Sequence, residues 1–328
     1  MLNKEKSGNY LLKIIAIILC IIIVLSASLI AVNVWEKKQG LFKGGDFSVT
    51  DSTIDVDGKK YTLKNNIETF LIIGLDKTSE SLADSYNNNL QADFLILLVI
   101  DNEKSQYTAV HINRDTMADI NILGVSGDKV GTTNKQIALA HTYGNGREVS
   151  CRNTADAVSN LLMGAKIDHF ISVKMDAVPV MNDLVGGVEV EVLEDFSSID
   201  QYLIKGQRVT LNGEQALTYV RTRYGLEDPS NNTRMVRQQQ YIKAFYEAVK
   251  IKAQSDKSFV TNASLKMTDY LVSDCSSNKL ETYFDKMQNF KLNKILDFEG
   301  ETKKGETFME FYPNEDVIKQ NVIELFYE

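Results

Sequence analysis

Two short, unbroken runs of apolar residues constrain the fold of this chain more than any other sequence feature. Residues 70–75 and 94–100 contain no charged side chain, and each run is too short for a typical helix. Runs of this kind are typical of central strands that are buried on both faces of a sheet. A third strand is predicted at Gln106–Ile112. The sequence therefore predicts a domain organised around a buried sheet.

Charged residues stand at the ends of these three strands. Asp76 follows the first run, Asp93 precedes the second, and Arg114 follows the third strand. If the strands pair as an antiparallel meander, these three positions lie at the same edge of the sheet. We therefore expect two carboxylates and one guanidinium to converge there.

Helices and strands alternate further along the chain. Helices are predicted at 133–143, 154–163, 176–185 and 213–220, then from Arg234 to about residue 253, with strands at 169–173 and 188–192. Beyond residue 264 we expect a helix at 278–289, strands near 294–298 and 307–312, and a final helix at 315–326. No linker interrupts this pattern. It predicts one α/β or α+β layered domain at residues 67–328.

The N-terminal segment is predicted to be a membrane anchor. Residues 14–32 carry no charge, Trp35 follows, and lysines precede and follow the run. At about 1.5 Å per residue, such a helix spans a hydrocarbon core of roughly 30 Å. The alternative is a cleaved signal peptide, because residues 26–28 are small, but the apolar run continues past them. We expect a cytoplasmic tail at 1–13, an anchor at 14–35, and a stalk or small edge hairpin at 36–66, with the large remainder extracytoplasmic.

Composition excludes several classes of function. The net charge is −8 and the pI is about 5.1, which argues against a nucleic-acid partner. The three cysteines form no CxxC pair and no Cys/His cluster, which argues against structural zinc. A disulfide between Cys151 and Cys275 and two unpaired thiols are equally compatible with the sequence.

Residues 219–240 concentrate arginines in this acidic chain, and we call them the arginine segment. It contains Arg221, Arg223, Arg234 and Arg237, and few acids lie among them. Guanidinium groups bind phosphate and carboxylate in a bidentate manner, so the segment predicts an anion site, although a solvated basic helix face is the alternative. Helical spacing places Arg234, Arg237 and Gln238 on one face. Arg221 and Arg223 share a face only in extended chain.

Seven motifs follow one another in an order that resembles the LytR-CpsA-Psr family. They are GLD at 74–76, Asp93, RDT at 114–116, HTYG at 141–144, DLVGGV at 183–188, LNGEQALTYVRTR at 211–223 and RMVRQQQ at 234–240. The resemblance spans about residues 68–250, and the membrane anchor in front also fits the family. The last two motifs are the most specific.

The resemblance implies a phosphotransferase of the bacterial cell membrane. Such enzymes take a glycopolymer, for example teichoic acid or capsule, from a polyprenyl-pyrophosphate carrier and join it to peptidoglycan through a phosphodiester. The implied fold is a mixed central sheet between helices, with an apolar pocket for the lipid.

The resemblance also implies roles for individual residues. Asp76 and Asp93 are expected to hold Mg²⁺, or Mn²⁺ in its place, and Asp93 is the candidate general base. The residues expected to grip the pyrophosphate are Arg114, Arg221, Arg223, Arg234 and Gln238.

The chain departs from the family pattern at several positions. Gln91 stands where an arginine is usual, and Asn231 stands where an acid is usual. Asn113 replaces a proline, and a second glycine is missing at Asn145. These departures keep two alternatives open. One is a non-catalytic, lipid-carrier-binding envelope regulator, and the other is a hydrolase of polyprenyl pyrophosphates.

Overall fold

The structure is a computed structural model. It describes residues 53–56, 58–77, 88–222, 225–226, 231–256, 259–276, 279–280, 282–283, 286, 289–305 and 308–328. The predicted anchor at 14–35 therefore lies outside the described residues. Within those residues, no helix is both long enough and apolar enough to cross a bilayer.

The described chain forms two compact units. The first, here called the sheet unit, contains residues up to 174 together with 271–275 and 289–328. The second, here called the helical unit, contains residues 175–270 and the described part of 276–288.

The strands and helices are numbered in chain order. The strands are β1 (Thr53–Val56), β2 (Lys59–Thr62), β3 (Ile67–Lys77), β4 (Leu90–Asp101), β5 (Gln106–Ile112), β6 (Met117–Leu123), β7 (Lys129–Gln136), β8 (His169–Lys174), β9 (Val188–Glu191), β10 (Arg208–Leu211), β11 (Leu271–Ser273), β12 (Lys291–Asp297), β13 (Gly300–Lys304) and β14 (Met309–Pro313). The helices are α1 (Glu148–Leu161), α2 (Ala177–Leu184), α3 (Gly213–Arg221), α4 (Asn231–Ser255), α5 (Phe259–Met267) and α6 (Glu315–Phe326).

A six-stranded mixed sheet forms the centre of the sheet unit. Its strand order is β11-β8-β3-β4-β5-β12. β8 runs parallel to β3 and β12 runs parallel to β5, whereas the other neighbours are antiparallel. The predicted meander of the three apolar strands is confirmed as β3, β4 and β5. The mixed α/β class is confirmed as well.

The middle of the sheet is buried on both faces. Alternate side chains point to opposite faces, yet Phe70, Leu71, Ile96 and Leu97 are all inaccessible to solvent. On one face, residues of α1 and α6 join Leu71 and Leu97 in a single apolar cluster. This explains why both runs are apolar at every position, because neither face tolerates a charge.

Two predicted helices differ from the structure. The helix predicted at 133–143 is wrong, because its first residues belong to β7, which pairs with β6, and only Ile137–Thr142 forms a short 3-10 helix. β7 is largely exposed, so it carries no apolar stripe from which its period can be read. The second helix begins at Glu148, earlier than predicted, so Thr154 lies inside the helix and not at its start. The Thr154 hydroxyl instead donates to the Ser150 carbonyl inside the helix.

A hairpin formed by β1 and β2 lies in the stretch predicted as a stalk or an edge hairpin. Thr62 exchanges two backbone hydrogen bonds with Glu328, and the Lys64 N–H donates to the Phe326 carbonyl. The chain that leads into β3 is thereby fastened to the end of α6. This attachment makes the hairpin part of the sheet unit.

In the helical unit, local sequence signals set the start of α3. Asn212 and Gln215 form a capping box, in which each side chain accepts from the other residue's backbone N–H. A side chain at Gly213 would approach the Pro179 carbonyl to 2.7 Å, so only glycine fits beside α2 there. α4 begins at Asn231 rather than at Arg234, so residues 231–233 belong to the helix.

Candidate active site

Four polar side chains gather where β3 ends, β4 begins and β5 exits. We call Asp76, Gln91, Asp93 and Arg114 the sheet-edge cluster. The β3–β4 register sets Asp76 opposite Gln91, and cross-strand partners of this kind have Cβ atoms about 5 Å apart. The β4–β5 pairing ends at Leu95 and Ile112, and its continuation sets Arg114 opposite Asp93. The convergence predicted from the meander is therefore present at this edge.

A β-bulge sets the position of Asp93. Gly74 pairs with Phe94 and Leu75 pairs with Ala92, so Asp93 is the extra residue on β4. A bulge re-aims a side chain and increases the local twist. The glycine is needed here, because a Cβ on Gly74 would lie 2.9 Å from the Phe94 Cβ. The GLD motif thus supplies both Asp76 and the space for the bulge.

Arg114 is held between neighbouring side chains. One Nη of the guanidinium pairs with the Asp93 carboxylate, and the other donates to Gln91 Oε1 at 2.8 Å. Its Nε lies 3.6 Å from Asp115 Oδ1. Each Nη carries two N–H groups, and these contacts use one of each. The side chain is 38% exposed, so the remaining donors are accessible to an anion.

The Gln91 contact was not foreseen from the sequence. In the sequence Gln91 is marked only by its departure from the family pattern, although a spacing of two residues places Gln91 and Asp93 on one face of a regular strand. In the structure its side-chain oxygen accepts from Arg114. An arginine at this position has no acceptor atom to offer. Gln91 therefore orients Arg114 instead of adding a charge.

Asp115 anchors the chain behind Arg114. Its carboxylate accepts from Gln136 Nε2 at 2.8 Å, and its carbonyl accepts from the Phe311 N–H at 2.9 Å. Burial raises the pKa of Asp115, and the Arg114 charge opposes that shift. These contacts hold Asp115 in place beside the Arg114 side chain.

The donor set at the sheet edge fits a hard divalent cation. Asp76 and Asp93 are carboxylates on adjacent strands and are partly accessible. Mg²⁺ is commonly bound through one or two carboxylates while it keeps several waters. The role of Asp76 and Asp93 as metal ligands stays a prediction.

The arginine segment lies in the helical unit, and the structure describes part of it. Arg221 is the last residue of α3 and is exposed, and the chain becomes extended at Thr222. Arg221 is thus helical, one residue beyond the helix predicted at 213–220. Arg223 lies outside the described residues. The backbone of Arg234 belongs to α4, but its side chain also lies outside the described part of the structure.

Arg237 does not belong to an exposed anion site, which corrects the reading of four arginines as one cluster. Its side chain is 0% exposed, and Nε lies 2.6 Å from Glu194 Oε2. Its two Nη groups donate to the carbonyls of Tyr219 and Thr222. No sequence signal marked Glu194, because the pair joins two distant stretches of the chain.

Gln238 also contacts the end of α3. Its Nε2 donates to the Val220 carbonyl at 2.9 Å, and the residue is partly accessible. This contact is structural. The role of Gln238 in binding pyrophosphate stays a prediction, as do the roles of Arg114, Arg221, Arg223 and Arg234.

The two cysteines that the structure describes, Cys151 and Cys275, are separate thiols, so the disulfide left open by the sequence does not form between them. Cys151 lies 3.3 Å from Ser172 Oγ and 3.6 Å from His141 Nε2, and burial raises the pKa of this thiol to about 12. Burial lowers the pKa of His141 to about 4. A neutral imidazole beside a protonated thiol is unsuited to nucleophilic catalysis.

Cys275 belongs to a second group of possible metal ligands. Its thiol, His169 and Asp274 hold their ligand atoms within 4.8 Å of one another. The Asp274 oxygens, however, accept from the Phe170 N–H and from Arg152. The group therefore has a structural function at the β8–β11 edge.

Known proteins resemble this chain over most of its length. A family model described as the LytR_cpsA_psr family matches residues 40–323. The chain belongs to the LytR-CpsA-Psr family. A TagU of Enterococcus faecalis, named polyisoprenyl-teichoic acid–peptidoglycan teichoic acid transferase, is 27% identical over 86% of this chain and 83% of its own length.

Two further LytR-CpsA-Psr relatives extend the comparison. Biofilm regulatory protein A of Streptococcus mutans is 25% identical over 94% of this chain and 75% of its own length. A solved structure of TagT bound to LIIa-WTA superposes with a TM-score of 0.51, covers 80% of this chain and 90% of that chain, and is 20% identical. At that identity the superposition supports the mixed α/β fold of the LytR-CpsA-Psr family and nothing finer.

Proposed function

We propose that the protein transfers a glycopolymer phosphate from a polyprenyl-pyrophosphate carrier to peptidoglycan. The observation that carries the proposal is the sheet-edge cluster, in which Arg114 is fixed by Asp93 and Gln91 yet remains accessible. The name of the Enterococcus faecalis relative supports this transferase class.

The cluster suits phosphoryl transfer because this chemistry depends on positioning and on neutralising charge. A sugar hydroxyl of peptidoglycan attacks the phosphorus that carries the glycopolymer. The new P–O bond forms as the bond to the bridging oxygen breaks, and polyprenyl phosphate leaves. Asp93 accepts the hydroxyl proton, and the free N–H groups of Arg114 stabilise the charge on the phosphoryl oxygens.

Asp76 and Asp93 are the residues that would hold Mg²⁺ or Mn²⁺. The bound ion supplies charge neutralisation on the phosphate oxygens. Asp76 stands opposite Gln91 and so borders the same accessible edge as Asp93. On this proposal Arg221, Arg223, Arg234 and Gln238 add donors for the pyrophosphate.

The cellular setting is part of the same proposal. Residues 14–35 have the length and apolar character of a single-pass anchor. The folded domain then lies outside the cytoplasm, where the lipid-linked donor and the peptidoglycan acceptor are within its reach.

A non-catalytic regulator is the second candidate. One relative is named a biofilm regulatory protein, and Gln91 gives the cluster one charge fewer than the family pattern. A regulator binds the donor without turnover, whereas a pyrophosphate hydrolase releases phosphate without ligation.

One reconstitution separates the three functions. The full chain in detergent is given a polyprenyl-pyrophosphate-linked glycan, Mg²⁺ and a peptidoglycan fragment. We expect a ligated product. Donor binding without product supports the regulator, and phosphate release without product supports the hydrolase. Arg208→Ala is the matched control for arginine substitutions, because the Arg208 side chain is 74% exposed and lies 3.9 Å from Glu189.

A further inference from the structure

Arg237 is the largest fully buried side chain described in this protein. Its guanidinium lies beside two neighbouring aromatic rings, with the carbon atom 5.0 Å from the Phe196 ring centre and 5.8 Å from the Tyr219 ring centre. Glu194, itself only 5% exposed, neutralises it. A buried charge of this kind is retained only when it is paired and hydrogen-bonded.

The hydrogen bonds of Arg237 are all directed at the end of α3. The last carbonyls of a helix lack partners within the helix and need donors from elsewhere. Arg237 donates to the carbonyls of Tyr219 and Thr222, and the adjacent Gln238 donates to that of Val220. Three carbonyls around Arg221 are thus bound by two consecutive side chains of α4.

A second set of contacts holds the Tyr219 side chain in the same turn. The Tyr219 hydroxyl donates to Gln240 Oε1 at 2.7 Å, and Gln240 Nε2 donates to the Glu191 carbonyl at 2.8 Å. Phe196 and Tyr219 pack with ring centres 5.4 Å apart. The backbone on both sides of Arg221 is therefore held rigidly, although the Arg221 side chain itself is exposed.

We propose that Arg237 and Glu194 form a positioning pair that fixes where Arg221 presents its guanidinium to the pyrophosphate. The inference rests on the proposed function, because it assigns the pair to the same anion-binding step. Neither residue touches the substrate. Arg221 stands between Val220 and Thr222, so any shift of these carbonyls moves its Cα directly.

The planar fork of arginine is essential to this arrangement. A guanidinium reaches one carboxylate and two carbonyls at once, because its five N–H donors point in fixed directions. A lysine ammonium at position 237 pairs with Glu194 but does not span both carbonyls. Lysine therefore preserves the charge pair and loses most of the positioning.

The test uses a double variant that removes the positioning contacts without leaving a buried charge. Replacing a buried ion pair with apolar residues of similar volume is often neutral for stability. E194L/R237M is therefore expected to keep cooperative thermal unfolding. The matched control is E189L/R208M, which removes an exposed Glu–Arg pair of the β9–β10 hairpin with a separation of 3.9 Å.

The readouts are the Kd for farnesyl pyrophosphate, measured on the full chain in detergent, and hydrogen exchange at Thr222. We expect E194L/R237M to raise the Kd about tenfold or more, since small misplacement of a binding group is costly. The Thr222 N–H, which donates to the Thr218 carbonyl, should exchange faster. The Kd of R237K should lie between those of E194L/R237M and the wild type. The Kd of E189L/R208M should equal that of the wild type.

The outcomes distinguish a failure of the positioning pair from a failure of the proposed function. A folded E194L/R237M protein with wild-type Kd overturns the positioning pair and leaves the proposed function standing. If E194L/R237M does not fold, R237K decides, and an unchanged Kd per folded molecule overturns the pair. If the wild type does not bind farnesyl pyrophosphate, the proposed function fails first and the pair's role in anion binding fails with it.

Discussion

Arg114 and Arg237 each form a close ion pair with a carboxylate, yet the surroundings of the two arginines differ completely. Arg114 is 38% exposed at the edge of a sheet, and its partner Asp93 is 32% exposed. Arg237 is 0% exposed, and its partner Glu194 is 5% exposed. Arg114 keeps N–H donors accessible, whereas Arg237 donates its hydrogen bonds to backbone carbonyls. Burial therefore separates an arginine suited to binding a ligand from one suited to holding backbone.

The energetics of the two pairs should differ in the same way. Exposed ion pairs contribute about 0–1 kcal/mol, because solvent screens them. Removing one partner of a buried pair costs about 3–5 kcal/mol, because the other charge is left uncompensated. Substitution at Arg237 should thus affect stability, and substitution at Arg114 should affect chemistry.

The largest effect is expected for Arg237→Ala. It leaves Glu194 buried without a counter-charge and removes the donors to Tyr219 and Thr222. We expect a loss of about 3–5 kcal/mol in the free energy of unfolding, measured by urea titration. Arg208→Ala should change it by about 0.5 kcal/mol or less. Equal effects of the two substitutions would contradict the burial argument.

Arg114→Ala should give the reverse result. Removing a hydrogen-bond donor that stabilises the charge developing in the transition state lowers the rate of transfer by about 10²–10³-fold. The unfolding free energy should change by no more than about 1 kcal/mol, because the pair with Asp93 is partly exposed. The measurement is transfer rate and urea unfolding on the same preparation. A stability loss as large as that of Arg237→Ala would remove the contrast between the two arginines.

His141 extends the comparison to a buried group that titrates. Burial lowers the pKa of His141 to about 4, so the folded protein holds it neutral, whereas the unfolded chain protonates it near its usual pKa of 6.5. Its contribution to stability is therefore complete above pH 6.5 and is lost as pH falls towards 4. We expect a loss of about 3 kcal/mol over that range.

The check is urea unfolding at pH 7 and pH 4 for the wild type and His141→Gln. The glutamine side chain retains an N–H donor for the Leu90 carbonyl, which His141 Nδ1 contacts at 3.0 Å, and it does not titrate. Between pH 7 and pH 4, the free energy of unfolding should fall less for His141→Gln than for the wild type. Parallel pH profiles would exclude His141 as the source.

The smallest effect is expected for Gln91→Leu. This substitution removes one acceptor from Arg114 and leaves the pair with Asp93 intact. A hydrogen bond of this kind contributes about 1–2 kcal/mol, so transfer should fall about five- to thirtyfold. Gln91→Glu retains an acceptor oxygen and should retain more activity than Gln91→Leu. A higher transfer rate for Gln91→Leu than for Gln91→Glu would show that Gln91 does not orient Arg114.

Local patterns in the sequence were sufficient to predict the centre of the fold. The unbroken runs identified β3 and β4, and strand pairing then placed Asp76, Asp93 and Arg114 at one edge. The β6–β7 hairpin was not predictable, because β7 is mostly polar and depends on its partner strand. The bulge at Asp93 was not predictable either, since it arises from the close approach of Gly74 to Phe94.

The arginine segment shows the limit of reasoning from residue type. All four arginines have the same chemistry, and their spacing does not reveal which are buried. Arg237 is buried because Glu194, Phe196 and Tyr219 surround it, and Glu194 and Phe196 lie outside the segment. A contact between distant stretches of chain leaves no periodic signal in either stretch.

Asp93→Asn provides the most direct test of the proposed transferase. Asparagine keeps the shape of the side chain and an oxygen for Arg114, but it cannot act as a base or carry the charge that a cation prefers. The measurement is ligated product formed from a polyprenyl-pyrophosphate-linked glycan and a peptidoglycan fragment, with folding verified by thermal unfolding. We predict product with the wild type and a loss of about 10²-fold or more with the folded variant. Wild-type rates of ligation by Asp93→Asn would contradict the assignment of the sheet-edge cluster as the active site.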